Sequence, residues 1–162
     1  MEATVPPPRS PEDDDLVRLC ASLNAEAARY LVVGGMAMNQ HGMLRGTADI
    51  DLLLEGSREN QGRVLKALEI LPDKAVREVE ENDLDEYTVV RVADEIVVDL
   101  MLSACGVTYD DAANEIEMKE VQGVAIPFAS AKLLLRTKQT YRERDIPDRI
   151  FLEEKLRREE ES

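Results

Sequence analysis

The sequence predicts a single α/β domain in which a mixed sheet of four to five strands is flanked by helices, and three observations carry that prediction. Short apolar runs at Tyr30–Val33, Asp49–Leu54 and residues 95–101 have the length and the Val, Leu and Ile content of buried strands. Around them, longer stretches place apolar residues at helical spacing. The 162 residues, 44% hydrophobic and only 4% aromatic, suffice for one globular core and are too few to expect a second.

Taken in order, residues 1–12 carry Pro6, Pro7, Pro8 and Pro11 among polar residues, a composition that resists helix and sheet and predicts a flexible tail. Asp13, Asp14 and Asp15 then place negative charge where a helix N-terminus favours it. Leu16, Leu19, Cys20, Leu23 and Ala27 give that first helix its apolar face. Tyr30–Val33 reads as a strand stopped by Gly34 and Gly35. A second helix is expected over residues 36–43, with Gly42, Gly46 and Thr47 punctuating the route into the strand Asp49–Leu54. Residues 59–71 form a third helix ended by Pro72. Residues 86–92 and 95–101 form a hairpin about Ala93-Asp94. Short extended pieces around Val121 and Ala125 precede Pro127. Two helices follow: 129–142, with Ser130 near its cap, and 147–158, with Pro147 in the first turn. The domain therefore spans 13–158, between the flexible tail and an acidic, frayed end at 159–162.

The net charge of −14 opposes a broad nucleic-acid face, because such affinity comes largely from Lys and Arg replacing counterions. The stretch 132–149 is the exception at net +3, from Lys132, Arg136, Lys138, Arg142, Arg144 and Arg149 against Glu143, Asp145 and Asp148. It reads as a local phosphate patch or as a solvated face laced with ion pairs. No apolar run approaches the roughly 20 residues that span a bilayer. The proline-bearing, acidic start has no secretory pattern, and a cytoplasmic location is expected. Cys20 and Cys105 stand far apart, as expected of buried, reduced thiols, and one histidine excludes a structural zinc site.

Asp49 and Asp51 are the residues that ask for chemistry. Alternate side chains on a strand share a face, so the two carboxylates point the same way while Ile50 points the other. Half buried among apolar neighbours, they need a cation or several donors. Mg²⁺ fits, with Mn²⁺ as its substitute, since it takes carboxylate, phosphate and water oxygens. Asp99, set between Val97, Val98 and Leu100, faces the same burial problem and is the candidate third ligand; an edge aspartate facing water or an arginine is the alternative. Gly34 and Gly35 follow a strand and open a helix, which exposes backbone N–H groups to phosphate. They complete neither a dinucleotide fingerprint nor a P-loop, and Leu53 at the third ligand position rules out an EF-hand. Arg45 and Thr47 either hold a phosphate or order the turn before the carboxylates. His41 reads as a packed or capping residue rather than a general base, and Met36, Met38 and Met43 as core filler.

These residues resemble the nucleotidyltransferase superfamily related in fold to DNA polymerase β, and within it the small bacterial members near the abortive-infection type nucleotidyltransferase toxins. The resemblance rests on Gly34-Gly35, His41-Gly42, Arg45-Gly46-Thr47, Asp49-Ile50-Asp51-Leu52 and Asp99. Leu133 to Lys138, Arg144-Asp145 and Asp148 extend it, so that it covers about residues 15–156. It implies metal-dependent transfer of a nucleoside monophosphate from an NTP such as ATP to an acceptor hydroxyl or phosphate. The acceptor is an RNA end, a protein or a small molecule, and a toxin–antitoxin or phage-defence pair adds a cognate antitoxin or partner protein. Asp49, Asp51 and Asp99 are then the catalytic metal ligands, with Asp99 also helping to activate the acceptor. Gly34, Gly35, Arg45, Thr47 and Lys138 are the nucleotide contacts. Many superfamily members place serine or threonine where Met36 stands, and the alternative is a non-catalytic module that binds a nucleotide or a protein.

Overall fold

The computed structural model describes residues 6–140 and 142–161. Of the expected N-terminal tail, residues 1–5 lie outside the described part. Residues 6–12 have neither helix nor strand, and the Arg9 guanidinium ties them to the body through Asp15 at 2.7 Å and Glu95 at 2.6 Å.

Eight strands and six α-helices follow among the described residues. Helix α1 (Asp13–Ala25) leads into β1 (Tyr30–Val33), α2 (Gly34–Gln40), β2 (Asp49–Leu54), α3 (Arg58–Ala67) and a single-turn α4 (Asp83–Glu86). The hairpin of β3 (Val90–Ala93) and β4 (Val97–Met101), the small ribbon of β5 (Ser103–Ala104) and β6 (Val107–Thr108), and the hairpin of β7 (Ile116–Val121) and β8 (Val124–Ala129) come next. Helices α5 (Ala131–Thr137) and α6 (Ile146–Glu161) end the described chain. The main sheet is mixed and runs β3-β4-β2-β1-β8-β7. Strand β2 is antiparallel to β1 and parallel to β4, and β1 is parallel to β8. Every residue of β1 is buried, as expected of a strand covered on both faces. Helix α1 packs on α3 and β8, whereas α2 lies against β1, β2 and α5.

The α/β class and the single mixed sheet match the sequence reading, but the sheet has six strands rather than four or five. The short extended pieces expected around Val121 and Ala125 are two full strands, β7 and β8, and the length of β7 is hidden because Glu117, Met118, Lys119 and Glu120 are all exposed and no apolar run marks it. Its turn at Gln122-Gly123 has both residues at positive φ, +49° and +79°, the geometry of a tight two-residue hairpin without the usual Asn-Gly signal. Pro127 lies inside β8, where pairing with β1 narrows to Val32 opposite Phe128 and one missing donor is tolerated.

Element ends shift for local reasons. Ala27 lies beyond α1 with φ +55°, and α2 starts at Gly34 and stops at Gln40, with His41 as its C-terminal cap. Helix α3 gives way at Leu68 to a 3₁₀ turn, and Glu86 belongs to α4 rather than to a strand. Ser130 caps α5 by accepting from the Leu133 N–H at 3.1 Å. That helix stops at Thr137 rather than 142, because Arg149 donates to the carbonyls of Lys138 and Thr140 at 2.9 and 3.0 Å. Helix α6 continues through 159–161, where the acidic composition predicts fraying. Cys20 is buried as expected, but Cys105 is exposed in the β5–β6 turn.

Asp94 fixes the turn that sets the β3–β4 register. It is 3% exposed and accepts from the N–H groups of Asp73, Ala75 and Glu95 at 3.0, 2.9 and 2.7 Å. Burial works against its charge, and the three donors outweigh burial and hold its carboxyl below the ordinary value. Its folded value is depressed, so its contribution is present above the unfolded value and lost as pH falls through the folded one. Asp94→Ala is expected to cost about 2–4 kcal/mol at neutral pH. The difference from wild type should narrow below about pH 4, as urea titrations at neutral and acidic pH would show.

Candidate metal centre

The parallel pairing of β2 with β4 sets Asp51 opposite Asp99, with Asp49 two residues back on the same face. One oxygen from each of Asp49, Asp51 and Asp99 lies within 4.8 Å of the others. The crossover that joins two parallel strands thus brings together carboxylates 48 residues apart in sequence. Three oxygen donors converging on one half-buried point fit a hard divalent cation, whose preference is for such ligands.

Electrostatics mark the strain of that convergence. Burial pushes the Asp51 carboxyl up to about 8, reinforced by the charges of Asp49 and Asp99 and opposed by Lys138. Asp49 is also raised, by burial first and then by Asp99. Arg91, which no motif in the sequence singles out, relieves part of the repulsion. Its Nε donates to Asp99 Oδ1 at 2.9 Å, and its Nη2 donates to Asp99 Oδ2 at 3.0 Å and to Asp49 Oδ2 at 3.2 Å. A hairpin turning at Ala93-Asp94 would not put Arg91 across from Asp99. The observed turn is one residue longer, pairs Ala93 with Val97, and so sets Arg91 opposite Asp99.

The glycine pair has a steric reason to be there. Gly34 has φ +68°, and a Cβ on it would stand 2.0 Å from Asp51 Oδ2. A Cβ on Gly35 would stand 2.5 Å from Thr47 Oγ1. Only glycine lets the start of α2 close onto Asp51 and the turn before it. Thr47 orders that turn by donating from Oγ1 to the Asp49 carbonyl at 3.0 Å.

Arg45 and Lys138 meet at another carboxylate. Arg45 Nη2 lies 2.8 Å and Lys138 Nζ 3.1 Å from Asp148 Oδ2, and Lys138 also lies 3.5 Å from Asp145. For Arg45 the geometry is that of a brace between the loop before β2 and α6. Lys138 is held beside the cluster, near enough for its charge to act on Asp51. The basic stretch 132–149 is in large part internally paired, through Lys138, Arg142 and Arg149. His41 is packed, with Nε2 2.8 Å from the Ala129 carbonyl. Met36 is 4% exposed and lines a cavity of about 230 Å³ with Leu16 and Phe128, so it offers no polar group there.

A crystal structure of a putative nucleotidyltransferase from Thermotoga maritima superposes on the chain with a TM-score of 0.54, covering 88% of each chain at 18% identity. The fold is a nucleotidyltransferase fold. No protein-family model matches the sequence, and no curated protein matches it. Within the nucleotidyltransferase fold of this chain, the carboxylate cluster occupies neighbouring central strands, and α2 begins against it.

Two outcomes are expected. Gly34→Ala forces both a left-handed alanine and a collision with Asp51, and should lower stability by about 2–4 kcal/mol in denaturant titrations. The raised carboxyl of Asp51 binds a proton in the folded chain that the unfolded chain releases near its ordinary value. The stability it contributes is therefore present at low pH and lost as pH rises toward 8. The melting temperature of the metal-free protein should fall across that window, and the increase caused by added Mg²⁺ should grow, as thermal melts at several pH values would show.

Proposed function

We propose that this chain is a Mg²⁺-dependent nucleotidyltransferase that moves a nucleoside monophosphate from an NTP to an acceptor hydroxyl or phosphate. The observation that carries the reading is the convergence of Asp49, Asp51 and Asp99 within 4.8 Å on the sheet of this fold, with α2 opening directly against Asp51. Asp49, Asp51 and Asp99 hold the metal, with Mn²⁺ able to substitute. When bound, the cation supplies charge stabilisation for the triphosphate and the leaving pyrophosphate.

The remaining roles fall to the chain's own groups. The backbone at Gly34 and Gly35 receives the triphosphate, and Lys138, held by Asp145 and Asp148, adds a positive charge on the same side as Asp51. Arg45 and Thr47 act by keeping the loop before β2 in shape. Asp99 orients the acceptor and helps take its proton. The net charge of −14 favours a protein, a small molecule or a short RNA end over a long polyanion. The likeness to abortive-infection toxins makes a cognate antitoxin or other partner protein part of the proposal.

The competing reading is a non-catalytic nucleotide- or protein-binding module, favoured by Met36 in place of a hydroxyl residue and by its burial away from solvent. Incubation with each α-labelled NTP, Mg²⁺ and a cell extract as acceptor source separates the two. Transfer of label with release of pyrophosphate is expected, reduced about a thousandfold or more in Asp49→Asn/Asp51→Asn. Binding of Mg²⁺-NTP without any turnover would establish the binding module instead.

A further inference from the structure

Arg91 stands where the carboxylate cluster meets solvent, on β3, the edge strand of the sheet, directly across from Asp99. Its guanidinium takes both oxygens of Asp99 in a fork, and the same Nη2 that completes the fork reaches across to Asp49 on the next strand. Nη2 thus bridges two of the three carboxylates whose oxygens converge, a bridge that a cation shared by them would replace.

Two features make this bridge easy to open. The contact to Asp49 is the longest of the three, at 3.2 Å against 2.9 and 3.0 Å, and it is single where the Asp99 contact is bidentate. In addition, 60% of the Arg91 side chain is exposed, so the guanidinium exchanges Asp49 for water at small cost. Asp49 and Asp99, at 22% and 8%, are by contrast held in place by the sheet.

We propose that Arg91 is a displaceable internal counter-ion of the carboxylate cluster: it bridges Asp49 and Asp99 in the metal-free protein, gives up Asp49 when a divalent cation enters, and thereby sets the affinity of the site for that cation. The inference rests on the metal-binding reading of Asp49, Asp51 and Asp99. Arg91 keeps its fork on Asp99, so that carboxylate stays oriented toward the ion it shares with Asp49 and Asp51. In the exchange no covalent bond of the chain changes: the Arg91–Asp49 hydrogen bond gives way to ligation of the cation by the carboxylate oxygens, which replace some of its bound water. Its cost is the loss of one charge-assisted contact plus the repulsion between the ion and a guanidinium left nearby.

Titration with Mn²⁺ alone, in the absence of nucleotide and at low ionic strength, tests it by calorimetry and by the signal of free Mn²⁺ in electron paramagnetic resonance. Arg91→Ala should bind Mn²⁺ about tenfold more tightly than wild type, since removing one positive charge a few ångströms from the ion strengthens its attraction to the cluster. Its metal-free melting temperature should be lower and its Mn²⁺-induced rise larger. Arg91→Lys keeps the charge without the fork and should show a much smaller gain, which also controls for any folding defect in the alanine variant. An Arg91→Ala affinity equal to or weaker than wild type overturns the proposal and makes Arg91 a fixed support of Asp99. Equal Mn²⁺ binding by wild type and Asp49→Asn/Asp51→Asn instead overturns the metal site itself, a result independent of the behaviour of the Arg91 variants.

Discussion

Three carboxylates crowded on one face of a mostly buried sheet repel one another and resist desolvation, and much of the surrounding structure answers that problem. Arg91 serves Asp49 and Asp99, the two that it reaches. Asp51 lies against Gly34, and burial pushes its carboxyl up to about 8 with Lys138 as the moderating charge. Such an arrangement is costly for stability alone, because apolar residues at these positions would pack into the sheet without any counter-charge. It fits the cation site proposed for Asp49, Asp51 and Asp99.

The scaffold transmits this demand outward. Strand β2 must pair in parallel with β4 to set Asp51 beside Asp99, and the intervening chain then has to cross over through α3, α4 and the edge strand that brings Arg91. On the other side, the first turn of α2 closes onto Asp51 and Thr47 only because residues 34 and 35 lack a Cβ. The C-terminal helices are tied to the same region through Asp148, which joins Arg45 from the loop before β2 to Lys138 from the end of α5. Sequence segments from residue 34 to residue 148 thus converge on one small volume.

Part of this arrangement is legible in the amino-acid sequence. Strands β1 and β2 are read at their observed bounds, because four to six apolar residues between glycine and polar stops leave few alternatives. The full length of strand β7 escapes such a reading, which marks only a short piece around Val121, because its residues 117–120 are exposed and mostly charged and its Gln-Gly turn carries no familiar signature. Helical spacing overruns the end of α5 because the carbonyls of Lys138 and Thr140 are claimed by Arg149, a partner outside the helix. At Arg45 local pattern could not show the ion pair to Asp148, 103 residues away, which ties the loop before β2 to α6.

The sequence by itself determined that Asp49 and Asp51 share a face, that glycines stand at the end of the preceding strand, and that one α/β domain holds both. These follow from strand alternation and backbone freedom, which are local. Only the tertiary structure decided that Asp99 completes the cluster, that Arg91 bridges it and that Lys138 is held beside it. Each of those depends on strand order, on a hairpin register set by one extra turn residue, or on a long-range ion pair. All three are fixed by pairings between distant parts of the chain, which local patterns do not encode.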